Sequence, residues 1–353
     1  MAQARAHTSF RHRTPPSYTF RFGPRLAMFR PSACMQLVAT VVAVVLPLSR
    51  ALLQNRGAIV AVQSGTSLQA RVSQVAPSIA IATGPAVLMP KVMFGMGGAL
   101  VDELREPGAA GVEAHQQIQS AAELWLSLGG RGLDTAQAYT DEPETGNAWR
   151  NSGLPRESVF ILSKFEPSEF LSNDTRKETR RLVEKSLNDI GIDYLDLMLI
   201  HHPGSANDNA AMWEELQATR VEGKIRAIGV SNFEVTELQA LMATAQVPIA
   251  LNQRSMNVFA PDTQNFQFCL DHNITYQAYT PLGDGSVLDD PVVADIAEHH
   301  GRSAAQVALR WIIQRGGVLS TQSESADHQR ENLDLFDWAL SEDEMLRLNA
   351  LGS

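Results

Sequence analysis

The stretch LIHHP, residues 199–203, ends an apolar run with two adjacent histidines, His201 and His202. Imidazole is the side chain that most readily changes charge or binds metal near neutral pH. On a strand, neighbouring side chains point to opposite faces, so this spacing predicts that only one of the pair enters a given site. Strand-borne metal ligands usually stand two residues apart, which makes a metal pair the weaker reading. No other Cys or His spacing in the chain suits a metal, and none is expected. Alone, a strand-end histidine is merely packed or solvated. Its neighbours decide.

Those neighbours are set by an alternating pattern that starts near Ala86. Strands are expected at 91–97, 131–136, 159–165, 194–201, 225–232, 249–253, 274–280 and 317–323. Helical segments separate them. Residues 114–129 carry Ile118, Ala121, Ala122 and Trp125 on one face and end at Gly129 and Gly130. Residues 173–191 begin with cap residues and stop at a glycine, and 207–224 repeat the scheme. Alternation alone also allows an open doubly wound sheet. Eight units with no glycine-rich phosphate loop after the first strand favour a (β/α)₈ barrel, whose functional residues gather at the strand C-terminal ends. The residues there are polar: Asp134, Lys164, His201, Ser231 and Asn232, Gln253, and Tyr279. That is a site.

The rest of the 353 residues divides by charge. Met1 to Val101 holds nine arginines, one lysine and no carboxylate, whereas the remainder is strongly acidic with no basic patch for nucleic acid. The acid-poor segment is rich in Arg, Ser, Ala and Pro, as organelle transit peptides are. Its apolar run from Leu37 to Leu48 spans 12 residues, short of the ~20 that a membrane span needs. We therefore expect 1–77 to be a non-globular targeting leader and 78–353 the barrel. A plastid or mitochondrial address follows, with a cytoplasmic protein as the alternative, and the mature chain is not expected to insert stably in a membrane. Only Cys269 lies in the body, so no internal disulfide can form there.

Read in order, GRGLDTAQAYTDEPETG, FILSKF, DYLDLMLIHHP, GKIRAIGVSNF, LNQ, YTPLG and ENLDLFDWALSEDEM resemble the aldo-keto reductases from about Met89 to Leu351. The resemblance implies an NAD(P)H-dependent carbonyl reductase acting on small aldehydes or ketones, as a monomer or weak oligomer. It places the catalytic roles on Tyr139, Lys164, Asp134 and His201. Hydride transfer leaves an alkoxide that must be protonated as it forms. Tyr139 would donate that proton, with Lys164 lowering its pKa, Asp134 orienting Lys164, and His201 bonding the substrate oxygen. An Asp–Lys pair is often only structural, and a tyrosine often only core. Four such residues in family order reverse those odds.

By the same resemblance Ser231, Asn232 and Gln253 hold the nicotinamide carboxamide, although Ser231 and Asn232 also read as a helix cap. Tyr279 stacks on the nicotinamide ring. Gly95, Thr280 and Leu282 line the nucleotide, and Glu331 and Asn332 meet the adenine. Departures stand out. The family's Lys-Ser…Arg set for the adenosine 2′-phosphate falls on Gln322, Ser323 and His328, with Glu324 adding a negative charge. NADP(H) is thus expected with weakened phosphate contacts, and NAD(H) is open to the site. On the substrate side Gly97, Glu166 and His202 stand where Trp is common, so Glu166 and His202 are expected to line an open, polar pocket. Two other functions compete: a cofactor-binding regulatory subunit with little turnover, and a different barrel enzyme using His201 with a metal.

Overall fold

The computed structural model describes residues 77–81, 87–98, 101–106 and 108–352. The expected leader, residues 1–77, falls outside them except for Pro77.

Among the described residues, ten strands form two sheets. The first two, β1 (Ser78–Ile81) and β2 (Val87–Pro90), pair antiparallel as a hairpin. The other eight are parallel and close into a barrel: β3 (Val92–Gly95), β4 (Gly132–Asp134), β5 (Phe160–Phe165), β6 (Leu195–Ile200), β7 (Ile225–Ser231), β8 (Leu251–Ser255), β9 (Thr275–Tyr279) and β10 (Val318–Thr321). Each falls on one expected strand, and β10 returns to pair with β3. A helix follows every barrel strand, which is the (β/α)₈ architecture. Among the described residues no helix is long and apolar enough to cross a membrane.

The pleat explains both core and site. Phe160 and Leu162 on β5, Leu197 and Leu199 on β6, and Leu251 on β8 share one buried cluster inside the barrel. Continuing that period of two along the same faces gives Lys164, His201 and Gln253. Apolar residues therefore plug the lower barrel, and polar ones surface where the strands end. Helices cover the outside. Ile118, Ala121, Ala122 and Trp125 of the helix Ala109–Ser127 are all buried in the second cluster, between helices and sheet. Helix ends follow local chemistry. Asp174 accepts from the Lys177 backbone amide at 3.1 Å to start Thr175–Ile190, and Gly191 stops it with φ 74°.

The hairpin departs from the expectation of a first strand near Lys91. Ile81 and Met89 are buried in the same cluster as Met93 and Phe160, so the hairpin closes the end where the barrel strands begin. Burying two such side chains is worth roughly 3–6 kcal/mol. A chain starting at Lys91 should therefore unfold at markedly lower denaturant than one starting at Pro77. Equal midpoints in urea would show the hairpin to be dispensable.

Candidate active site

Three strand ends place the central group. Gly95 pairs in register with Asp134, Asp134 with Leu162, and Lys164 with Leu199. Lys164 and Asp134 thus sit side by side on the inner face, both buried, with Lys164 Nζ 2.5 Å from Asp134 Oδ1. The ammonium also donates to the Thr135 carbonyl at 2.9 Å and reaches the Tyr139 hydroxyl at 3.3 Å. Tyr139 ends a short turn of 3₁₀ helix, Gln137–Tyr139, directly after β4. Its hydroxyl lies 3.5 Å from His201 Nε2. Four residues separated by 67 positions in sequence meet around one hydroxyl.

Electrostatics set their charges. Burial works against the Lys164 ammonium, but Asp134 and Tyr139 outweigh it and hold its pKa above the ordinary lysine value. Burial pushes the Tyr139 hydroxyl up, and the opposing pull of Lys164 is smaller. The sequence led us to expect a lowered tyrosine. The Lys164 effect has the expected sign, yet enclosure of the ring outweighs it. A Cβ on Gly97 would lie 2.4 Å from the Tyr139 ring, so the missing side chain at 97 is what lets that ring pack so closely. Burial also lowers the His201 pKa, against the raising effect of Glu166.

Asp134 has further partners that the sequence did not single out. Gln253 and Gln277 both donate to Asp134 Oδ2, at 2.7 and 3.0 Å. Gln277 points inward with Tyr279 on β9, and that parity was the available signal. Gln253 is thereby partly committed to holding Asp134, besides lining the cleft.

The two histidines overturn a premise. Strand β6 stops at Ile200, and alternation does not extend past His201. The rings of His201 and His202 stack, with centroids 4.8 Å apart, and both Nδ1 atoms face Glu166 Oε1, at 3.1 and 3.3 Å. Pairing with His201 holds Glu166 down at about 2 despite partial burial.

A cleft of 510 Å³ opens above this group. It is lined by Asp134, Tyr139, Lys164, Glu166, His201, His202, Gly95, Asn232, Gln253, Tyr279, Thr280, Leu282 and Gln322, and also by Arg105 and Asp284. Asn232, in the left-handed region with φ 60°, accepts from the Tyr279 hydroxyl at 2.8 Å and donates to the His201 carbonyl at 3.0 Å. Ser231 lies buried behind it, donating to the Gln253 carbonyl at 2.9 Å. The anticipated capping role does not hold: the helix Val235–Met242 is capped at Glu234. Ser323, His328, Glu331 and Asn332 do not line the cleft. Ser323 Oγ and His328 Nδ1 are 3.3 Å apart at the start of the helix Ala326–Leu333, Asn332 is buried, and Glu331 is half-buried on that helix.

Beneath the site, Asp141 is fully buried and accepts from Thr135 Oγ1. Burial pushes its carboxyl up to about 7, against the smaller effects of Thr135 and Lys164. A carboxyl raised from 3.8 to about 7 favours folding most at low pH, and that stability is lost as pH rises from about 4 to 7. The loss amounts to at most about 4 kcal/mol. Asp141→Asn stays neutral throughout. Its stability relative to the parent should therefore improve between pH 4 and pH 8, which thermal unfolding at both values would detect. Parallel pH curves for the two proteins would refute an ionisable burden at Asp141.

The comparisons with known proteins agree with this geometry. The profile described as "Aldo/keto reductase family" matches residues 106–353. The uncharacterized oxidoreductase YtbE of Bacillus subtilis (strain 168) is 35% identical over 248 residues, covering 69% of this chain and 87% of its own. The glyoxal reductase of the same organism is 36% identical over 241 residues, covering 68% and 84%. The crystal structure of a Bombyx mori aldo-keto reductase in complex with NADP superposes with a TM-score of 0.67 at 27% identity, covering 79% of this chain and 93% of that one. With its closed eight-stranded barrel and its polar strand ends, the chain belongs to the aldo/keto reductase family of oxidoreductases.

Proposed function

We propose that the protein reduces the carbonyl group of small aldehydes or ketones to an alcohol, with Tyr139 as the proton donor. One observation carries this: the Tyr139 hydroxyl stands between Lys164 Nζ and His201 Nε2, at 3.3 and 3.5 Å, among the residues that line the cleft. A hydroxyl in that position can hydrogen-bond a carbonyl oxygen and release its proton as negative charge develops there. Lys164, held charged by Asp134, stabilises the tyrosinate left behind. His201 Nε2 faces the same point and orients the carbonyl.

The residues of the cleft fit a nicotinamide nucleotide. Gly95, Gly97 and Gly98 contribute lining without side chains, and Tyr279 and Asn232 form a hydrogen-bonded aromatic and amide surface in the same cleft. Bound there, NADP(H) or NAD(H) would supply the hydride. Asn232 and Gln253 would hold the carboxamide, Tyr279 the ring, and Thr280 and Leu282 the phosphates. Gln322, Ser323 and His328 offer a 2′-phosphate neutral or titratable donors only, so either nucleotide suits the site. Glu166 and His202 make the substrate side polar.

Mixing purified protein with NADPH or NADH and a panel of small aldehydes, and following nicotinamide absorbance, tests the reading. Turnover of a small aldehyde supports it. Tight nucleotide binding with no turnover across the panel would favour a cofactor-binding regulatory subunit. The acid-free sequence before residue 102 further supports an organelle address, and a fluorescent protein fused behind residues 1–77 would report it.

A further inference from the structure

Where β6 ends, the backbone turns and brings three ligand-type side chains together. His201 Nδ1 and His202 Nδ1 lie 3.1 and 3.3 Å from the same oxygen, Glu166 Oε1, and all three atoms fall within 4.8 Å of one another. His201 is buried, and its Nδ1 meets the Glu166 carboxylate as an ion-pair partner. A tetrahedral zinc shell has bonds of about 2.0–2.2 Å, which sets neighbouring ligand atoms roughly 3.3–3.5 Å apart. The two measured separations approach that edge length. Imidazole and carboxylate are also the donors zinc takes. Three protein ligands leave the fourth position to water, on the side of the cleft that all three residues line.

We propose that Glu166, His201 and His202 form a binding site for a divalent zinc-type metal ion, and that the bound ion shuts off carbonyl reduction by occupying the substrate side of the cleft. His202 is half exposed at 53%, so the ion enters from solvent without opening the barrel. The nucleotide side, built from Asn232 and Tyr279, is left unaltered. Inhibition should then compete with the carbonyl compound and not with the nucleotide.

A second cluster must be separated from this one. His299 and His300 both meet Glu344, at 2.8 and 3.0 Å, but the carboxylate also accepts from the Ser341 backbone at 2.7 Å as a helix cap. Its nitrogen contacts are aligned hydrogen bonds, and a metal there would have to compete with the cap. His299 is 75% exposed, so His299→Ala removes that cluster at little structural cost.

The test is calorimetric titration of Zn²⁺ into the full-length His299→Ala protein, repeated with Glu166→Gln or His202→Ala added. One ion per chain is expected, with binding weakened on the order of tenfold or more by either further change. Co²⁺ should give the visible absorption of a tetrahedral site, lost in the same variants. In the reductase assay Zn²⁺ should raise the apparent KM for the carbonyl substrate and leave the nucleotide dissociation constant unaltered. Calorimetry and the cobalt spectrum test the site independently of the reductase reading, and only the inhibition rests on it. Unchanged zinc affinity in both variants, each with an unaltered melting temperature, would overturn the site. So would no binding at millimolar Zn²⁺. Inhibition competitive with nucleotide would overturn the proposed block of the substrate side.

Discussion

Tyr139→Phe is expected to lower kcat for carbonyl reduction by roughly a hundred- to ten-thousandfold. Nucleotide affinity should be nearly unchanged. The substitution keeps the ring that packs over Gly97 and removes only the hydroxyl between Lys164 and His201. Because burial raises the Tyr139 pKa, the hydroxyl keeps its proton at neutral pH, and the loss measured is that of a donor. Lys164→Met would be a poorer probe. It strands the Asp134 carboxylate among buried side chains, and breaking a buried pair from one side costs about 3–5 kcal/mol of stability. Tyr139→Phe leaves that pair intact. Steady-state rates, with a parallel fluorescence titration of nucleotide, decide the point. Wild-type turnover in the Phe variant would show that another group supplies the proton.

What could be read in advance was whatever follows from strand periodicity. Lys164, His201 and Gln253 continue faces already marked by Leu162, Leu199 and Leu251, so their convergence is a consequence of pleat and barrel closure. The rule failed one residue later. Alternation predicts that only one of two adjacent histidines enters a given site, but β6 ends at Ile200, the two rings stack and both line the cleft. Alternation holds as far as His201, whose backbone amide still donates to the Phe165 carbonyl at 2.8 Å, and carries no information beyond it. The hairpin escaped for a different reason. Strands β1 and β2 are four residues each and bury Ile81 and Met89 against the end where the barrel strands begin, a long-range contact with no local signature. The sign of the Tyr139 shift was hidden likewise. A sequence gives the charge nearby, whereas enclosure of the ring depends on Gly97, which follows the neighbouring strand β3 and is brought against Tyr139 by the β3–β4 pairing.

Cofactor choice is where this chain departs furthest from its resemblance, and the structure sharpens the expected result. Gln322 lies along the glycine wall, with its amide 3.4 Å from the Met96 carbonyl, so a lysine there would start from the same cleft edge. Ser323 and His328 sit together at the first turn of Ala326–Leu333, whose N-terminal amides favour an anion. Neither Gln322 nor Ser323 carries a charge, and an imidazole is no permanent cation. Losing one charge-assisted phosphate bond costs about 1.5–3 kcal/mol, roughly ten- to a hundredfold in affinity. The unmodified protein should therefore discriminate little between NADPH and NADH, or favour NADH. Gln322→Lys combined with His328→Arg should tighten NADPH binding by that ten- to hundredfold and leave NADH binding nearly alone, because the added cations address a group that NADH lacks. Dissociation constants for both nucleotides on both proteins, at one fixed salt concentration, are the measurement required. A strong NADPH preference in the parent, unimproved by the double change, would mean that a cation elsewhere holds the phosphate. Arg105, which lines the same cleft, is the first to replace in that event.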